Sequence, residues 1–170
     1  EKKNAEHLQQ AIEVARRCET VVLFIGLTDD YEAEGFDRTH MALPAAHDRL
    51  VNEILKVNKN VVIVLAGGSP VEMPWNDGVA AILHSYLGGQ AGAGAVADII
   101  SGAVNPSGKL PETYPMFYAD TPAKNNFPGN PASVEYRESI YIGYRYYEKA
   151  KKAVRYPFGY GLSYTTFEYS

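Results

Sequence analysis

Five carboxylates crowd into nine residues: Asp29, Asp30, Glu32, Glu34 and Asp37. They follow directly on the apolar run Thr20 to Leu27. Crowded like charges favour protonation of one of them, and a general acid working near neutrality needs a carboxyl that holds its proton. Gly35 frees the backbone beside Glu34, so that side chain can be offered at a sharp bend. On composition alone, a solvated acidic loop is the commoner outcome. A calcium loop is the sharper rival, because Asp30, Glu32, Glu34 and Gly35 occupy the first, third, fifth and sixth positions of an EF-hand loop. The twelfth position falls on Met41, which cannot ligate calcium, and a strand pattern precedes the loop where an EF-hand has a helix.

Other chemistry-bearing residues carry less. His40, His47 and His84 have no metal-ligand spacing to one another. Gly67-Gly68-Ser69 and Gly88-Gly89 could cradle a phosphate at a helix start. Neither is followed by the Lys-Ser/Thr of a phosphate loop, so close backbone packing at strand ends is the plainer reading. Trp75 serves equally as a sugar platform or as a packing anchor. Cys18 is the only cysteine, so no disulfide forms within the chain. A net charge of −4 gives no basic footprint for nucleic acid or for a membrane surface. The apolar runs are too short to span a bilayer, and the N-terminus shows no signal-peptide stretch.

The elements that must position the loop alternate between two periods. Leu8, Ile12, Ala15 and Cys18 share one helical face. Thr20 to Leu27 reads as a strand buried on both faces. Pro44 suits the first residue of a helix whose stripe is Leu50, Val51, Ile54 and Leu55. Asn60 to Ala66 is a second buried strand, and Ala80 to Tyr86 a weaker third. A helix from about Gln90 to Ile100 should turn Ala95, Val96, Ile99 and Ile100 inward. The alternation predicts an α/β fold with a mainly parallel sheet and helices on both faces. Ligands of such sheets bind beyond the carboxyl ends of the strands, where the loops after Leu27, Ala66 and Tyr86 gather. From Ala103 the pattern ends. Six prolines from Pro106 to Pro131 punctuate an irregular stretch, and eight of the 13 tyrosines fall between Tyr136 and Tyr164. This reads as a long C-terminal arm lying on something outside the chain. The domain reading is one domain over 1–170, with an α/β core at 1–104 and a Pro/Tyr-rich arm at 105–170.

Tyr31-Glu32-Ala33-Glu34-Gly35-Phe36-Asp37-Arg38, closing a strand that reads Val-Val-Leu-Phe-Ile-Gly-Leu, resembles the acid/base loop of family 3 glycoside hydrolases of the β-glucosidase kind. Further strings follow in the same order. They are Gly67-Gly68-Ser69-Pro70-Val71-Glu72, Gly88-Gly89-Gln90-Ala91-Gly92, Asn105 to Pro111, Tyr141 to Tyr147 and Tyr156 to Tyr164. The ordered set covers nearly the whole chain and resembles the C-terminal α/β sandwich domain of that family.

The resemblance implies that Glu34 is the catalytic acid/base, with Glu32 its nearest competitor. It makes Glu32, Phe36, Asp37 and Arg38 the candidate substrate-binding residues, although Asp37 and Arg38 read more simply as a loop-shaping ion pair and Phe36 as packing. It also implies retaining, exo-acting hydrolysis of terminal β-D-glucosyl residues, with a β-glucoside or oligosaccharide as substrate and no metal or organic cofactor. The nucleophile, an aspartate, belongs to a barrel-like domain missing from this chain, which therefore reads as a fragment. A retaining glycosidase needs two carboxyls roughly 5–5.5 Å apart on opposite sides of the sugar. Glu32 and Glu34, neighbours on one short loop, do not suit both roles. The alternatives are a non-catalytic carbohydrate-binding or scaffolding module of the same ancestry, and a flavodoxin-like nucleotide binder without a phosphate motif.

Overall fold

The computed structural model describes residues 2–168. Helix α1 spans Lys2–Arg17. It turns Leu8 and Ile12 partly inward and buries Ala15, while Cys18 lies past its end and is exposed. Asn58 ties the end of this helix down, donating from Nδ2 to the carbonyls of Ala15 at 3.0 Å and Cys18 at 2.8 Å. Strand β1 (Val21–Gly26) follows, then helix α2 (Ala45–Leu55), strand β2 (Val61–Ala66), strand β3 (Ala81–Tyr86) and helix α3 (Gly92–Ile100). Pro44 sits one residue earlier than expected, as the cap before α2, with ψ at 128°. The helix buries Val51 and Ile54 from its predicted stripe.

The three strands form one parallel sheet in the order β1-β2-β3, the α/β arrangement that the alternating pattern predicts. β2 is central and its residues are the most buried of the sheet: Val61, Ile63, Val64 and Leu65 are all at or below 3 % exposure. β1 differs from its expectation. It lies at the sheet edge, with β2 as its neighbour and Phe24 68 % exposed, so it is not buried on both faces. A continuous apolar run does not distinguish an edge strand from a central one. α3 also departs from its reading. Val96 and Ile99 are half-buried, whereas Ala95 and Ile100 are exposed.

The chain divides into two compact units. The first runs to Arg38 and adds Ala42–Ser69 and Met73–Ala93, and so holds the three-stranded sheet. The second takes Thr39–Met41, Pro70–Glu72 and the chain from Gly94 onward. Within the second, strand β4 (Tyr114–Pro115) pairs antiparallel with strand β5 (Val154–Tyr156), and helix α4 spans Tyr144–Ala150. These elements sit in the stretch expected to be irregular. They bury Tyr114 and Tyr147, and burial pushes the Tyr147 hydroxyl up to about 12. Between them the arm is open: every residue from Phe127 to Arg137 is exposed. So are the apolar residues Ile140, Tyr141, Ile142, Phe158 and Leu162.

One contact holds the carboxyl end of the sheet close. A Cβ built on Gly26 would stand 2.0 Å from the carbonyl oxygen of Ala66, which is backbone and cannot swing aside. Glycine inside a strand marks such an approach. Gly26→Ala should therefore cost at or above the ~1–3 kcal/mol of ordinary overpacking. Urea unfolding followed by Trp75 fluorescence checks this, and a midpoint equal to wild type would contradict it.

Candidate active site

Past the strands, the sheet's ladder continues by one step on each side. Leu27 N–H donates to Ala66 at 2.9 Å, and Gly67 N–H donates to Tyr86 at 3.2 Å. The three strand-end loops thus start side by side. β3 adds a bulge there: Leu65 pairs with His84 and Ala66 with Tyr86, leaving Ser85 as the extra residue. Its hydroxyl donates to the Leu65 carbonyl at 3.1 Å. Bulges of this kind increase local twist and re-aim the chain.

The acidic loop is built in two turns. Tyr31 N–H and Glu32 N–H both donate to the Thr28 carbonyl, at 2.7 and 3.0 Å. A bridge between Ala33 and Phe36 then closes a tight bend with Glu34 and Gly35 at its tip. Glu34 is exposed, as are Phe36 at 48 % and Asp37. Gly35 has no left-handed φ, and a Cβ placed on it would meet nothing within 4 Å. The bend therefore does not need glycine for its own geometry, unlike the expectation from sequence.

Glu32 behaves differently from Glu34. Its Oε2 accepts the Gly68 N–H at 2.7 Å, and its Oε1 accepts the Ser69 hydroxyl at 2.7 Å. Ser69 Oγ accepts in turn from Arg38 Nη1 at 2.7 Å. The hydroxyl thus spends its one proton on the carboxylate and offers a lone pair to the guanidinium. Glu32 and Arg38, two residues expected at the substrate, meet each other through Ser69, while Glu34, Phe36 and Asp37 project from the bend. Gly68 and Ser69 were legible as a strand-end turn. That they receive Glu32 was not, because the partners lie 36 and 37 residues apart. The glycine turn does point an N–H at an anion, but the anion is the chain's own side chain.

Other residues resolve more simply. Trp75 is 3 % exposed and donates from Nε1 to Asp48 Oδ1 at 2.8 Å, so it is a packing anchor between its loop and α2. His47 Nδ1 faces the Gly26 N–H at 3.4 Å, and His40 is exposed. No group of three or more His, Cys, Asp or Glu able to hold a metal occurs among the described residues. His84 stacks on Tyr86 with ring centroids 3.7 Å apart, and its Nδ1 lies 3.0 Å from the Leu65 carbonyl.

Residues 2–164 match the family described as the glycosyl hydrolase family 3 C-terminal domain, and the chain belongs to that family. It is 51 % identical over 165 residues to thermostable beta-glucosidase B of Acetivibrio thermocellus, covering 97 % of this chain and 22 % of the relative. It is 47 % identical over 162 residues to probable beta-glucosidase I of Aspergillus oryzae, covering 95 % and 19 %. Among solved structures, the beta-glucosidase of Kluyveromyces marxianus in complex with glucose is similar with a TM-score of 0.93 at 45 % identity, over 96 % of this chain and 20 % of that one. The family 3 beta-glucosidase of Bifidobacterium adolescentis gives 0.90 at 46 %, over 94 % and 24 %. The chain thus spans about a fifth of the length of these curated relatives.

Burial holds the His84 imidazole below its ordinary range, against the opposing pull of the Leu65 carbonyl and of Glu32. Below the ordinary value of ~6.5 the unfolded chain binds a proton that the folded chain refuses. The stabilisation is therefore full above that value and is lost as pH falls from it toward the lowered one. Denaturation midpoints should drop between about pH 7.5 and pH 5.5, by at most ~1.4 kcal/mol per pH unit from this one group. His84→Gln should flatten that part of the profile, and an unchanged slope would contradict the assignment.

Proposed function

We propose that this domain supplies the general acid/base of a retaining, exo-acting β-glucosidase, and that Glu34 is that residue. The observation that carries the reading is the bend. Glu34 stands exposed at the tip of a loop rooted at the carboxyl end of a parallel sheet, while the neighbouring carboxylate, Glu32, is engaged on both oxygens. Beta-glucosidases among the relatives support the reaction class. In the first step Glu34 protonates the departing glycosidic oxygen as a nucleophile outside this chain attacks the anomeric carbon. In the second, the Glu34 carboxylate takes a proton from water as that water opens the glycosyl-enzyme ester. Phe36 and Asp37, projecting beside it, are placed to meet the sugar or its leaving group.

The nucleophile must approach opposite the leaving group, roughly 5–5.5 Å from the acid. Glu32, tied to Gly68 and Ser69, is not available for that attack. The nucleophile therefore belongs to a further domain of the enzyme, and the exposed Ile140, Tyr141, Ile142 and Leu162 are apolar surface of the kind that an interdomain contact covers. The purified 170-residue chain should accordingly show no turnover of an aryl β-glucoside. Turnover abolished by Glu34→Gln would place both carboxyls within this chain.

In the full-length enzyme, Glu34→Ala should slow hydrolysis of an alkyl glucoside, a poor leaving group, by about 10²–10⁴-fold. Dinitrophenol departs without a proton, so the dinitrophenyl glucoside should still form the covalent intermediate and then stall. Azide needs no base and should restore turnover as glucosyl azide. A Glu34→Ala enzyme that loses little activity and gains nothing from azide would favour a non-catalytic carbohydrate-binding module instead.

A further inference from the structure

We infer that Glu32 is a positioning residue. Its carboxylate, seated on Gly68 N–H and Ser69 Oγ, fixes the bend that presents Glu34, and Arg38 closes the same ring from the other side. This rests on the reading of Glu34 as the acid/base. Every residue from Ala33 to Asp37 is exposed, so packing holds the tip only loosely. The Ala33–Phe36 bridge closes the bend, and its placement against the sheet is set at its two ends. The residue just before it, Glu32, and the residue just after it, Arg38, converge on one atom, Ser69 Oγ, each at 2.7 Å. Bonds of this kind, between a charged group and a neutral partner, are short and directional. Segment 32–38 is thereby stapled at both ends to the turn that leaves β2.

The Gly68 turn also leaves room for the seated carboxylate. A Cβ on Gly68 would lie 3.3 and 3.4 Å from the two Glu32 carboxylate oxygens. A side chain there would oblige the carboxylate to give by a few tenths of an ångström. Glycine at 68 leaves Glu32 room to settle on the backbone without that shift. A misplacement of about 1 Å in a reacting group can cost roughly 10²-fold in rate. The staple is thus large enough in effect to be read in kinetics.

The test uses the full-length enzyme with Glu32→Gln, Ser69→Ala and Ser69→Thr, alongside Glu34→Ala. Positioning predicts that Glu32→Gln and Ser69→Ala lower kcat on an alkyl glucoside by about 10–100-fold with KM within about twofold. Ser69→Thr keeps the hydroxyl and should recover most of that loss. Hydrogen exchange on the 170-residue chain gives a readout free of activity: the Gly68 amide should exchange at least about tenfold faster in Glu32→Gln than in wild type. Trp75 fluorescence verifies that each variant is folded. Unchanged kcat with a raised KM would make Glu32 a substrate contact and overturn the proposal. Azide rescue of Glu34→Ala beside full kcat in the Glu32 and Ser69 variants would sink the positioning role alone. No rescue of Glu34→Ala would remove the acid/base reading, and the positioning role with it.

Discussion

A strand stripped of water on both faces can satisfy its backbone only sideways. β2 is close to that condition, with Val61, Ile63, Val64 and Leu65 buried and Val62 half-buried, so it requires a neighbour on each edge, and β1 and β3 are those neighbours. Much in the first unit follows from this. Parallel pairing in register, Val21 with Val61 through Gly26 with Ala66, brings the carboxyl ends of the strands level. The same demand carries the ladder one residue past each strand, so the acidic loop and the Gly67-Gly68-Ser69 turn leave the sheet as neighbours. Gly26 makes the approach sterically possible.

Neighbouring loops then divide the labour between two carboxylates that sequence places two residues apart. Glu32 is half-buried and turned back onto backbone and hydroxyl donors, whereas Glu34 stands in solvent at the bend. On the roles proposed above, the reacting carboxyl needs an open setting and the restraining carboxyl an engaged one. An alternation of two residues across a tight bend supplies both from one short segment.

The regular half of the chain was legible because its chemistry is periodic. Thr20 to Leu27, Asn60 to Ala66 and Ala80 to Tyr86 contain the three strands to within a residue or two of their ends. The exposure of Phe24 was not legible, because being at an edge depends on which strands lie beside it. α4 was missed for a different reason. Tyr-Arg-Tyr-Tyr-Glu-Lys-Ala has no apolar stripe, buries only Tyr147, and starts after Gly143 with φ 54 and no side-chain cap. β4 is two residues long and includes Pro115, too short for any alternation to register. Within the acidic loop, which carboxylate is held and which stands exposed depends on Ser69, far along the chain. Linear spacing carries no trace of that meeting.

The distribution of aromatic side chains gives the two units separate optical signatures. The single tryptophan, Trp75, is buried in the first unit with its indole N–H bonded to Asp48. Of the 13 tyrosines only Tyr31 and Tyr86 share that unit, and the rest follow Gly94. Emission excited at the red edge, where tyrosine is silent, therefore reports the sheet-bearing unit alone. Near-ultraviolet tyrosine dichroism is weighted toward the other, through packed pairs such as Tyr114 against Tyr156 and Tyr156 against Tyr160. Whether the two units melt together or one after the other can thus be read from the unlabelled chain in a single heated cuvette.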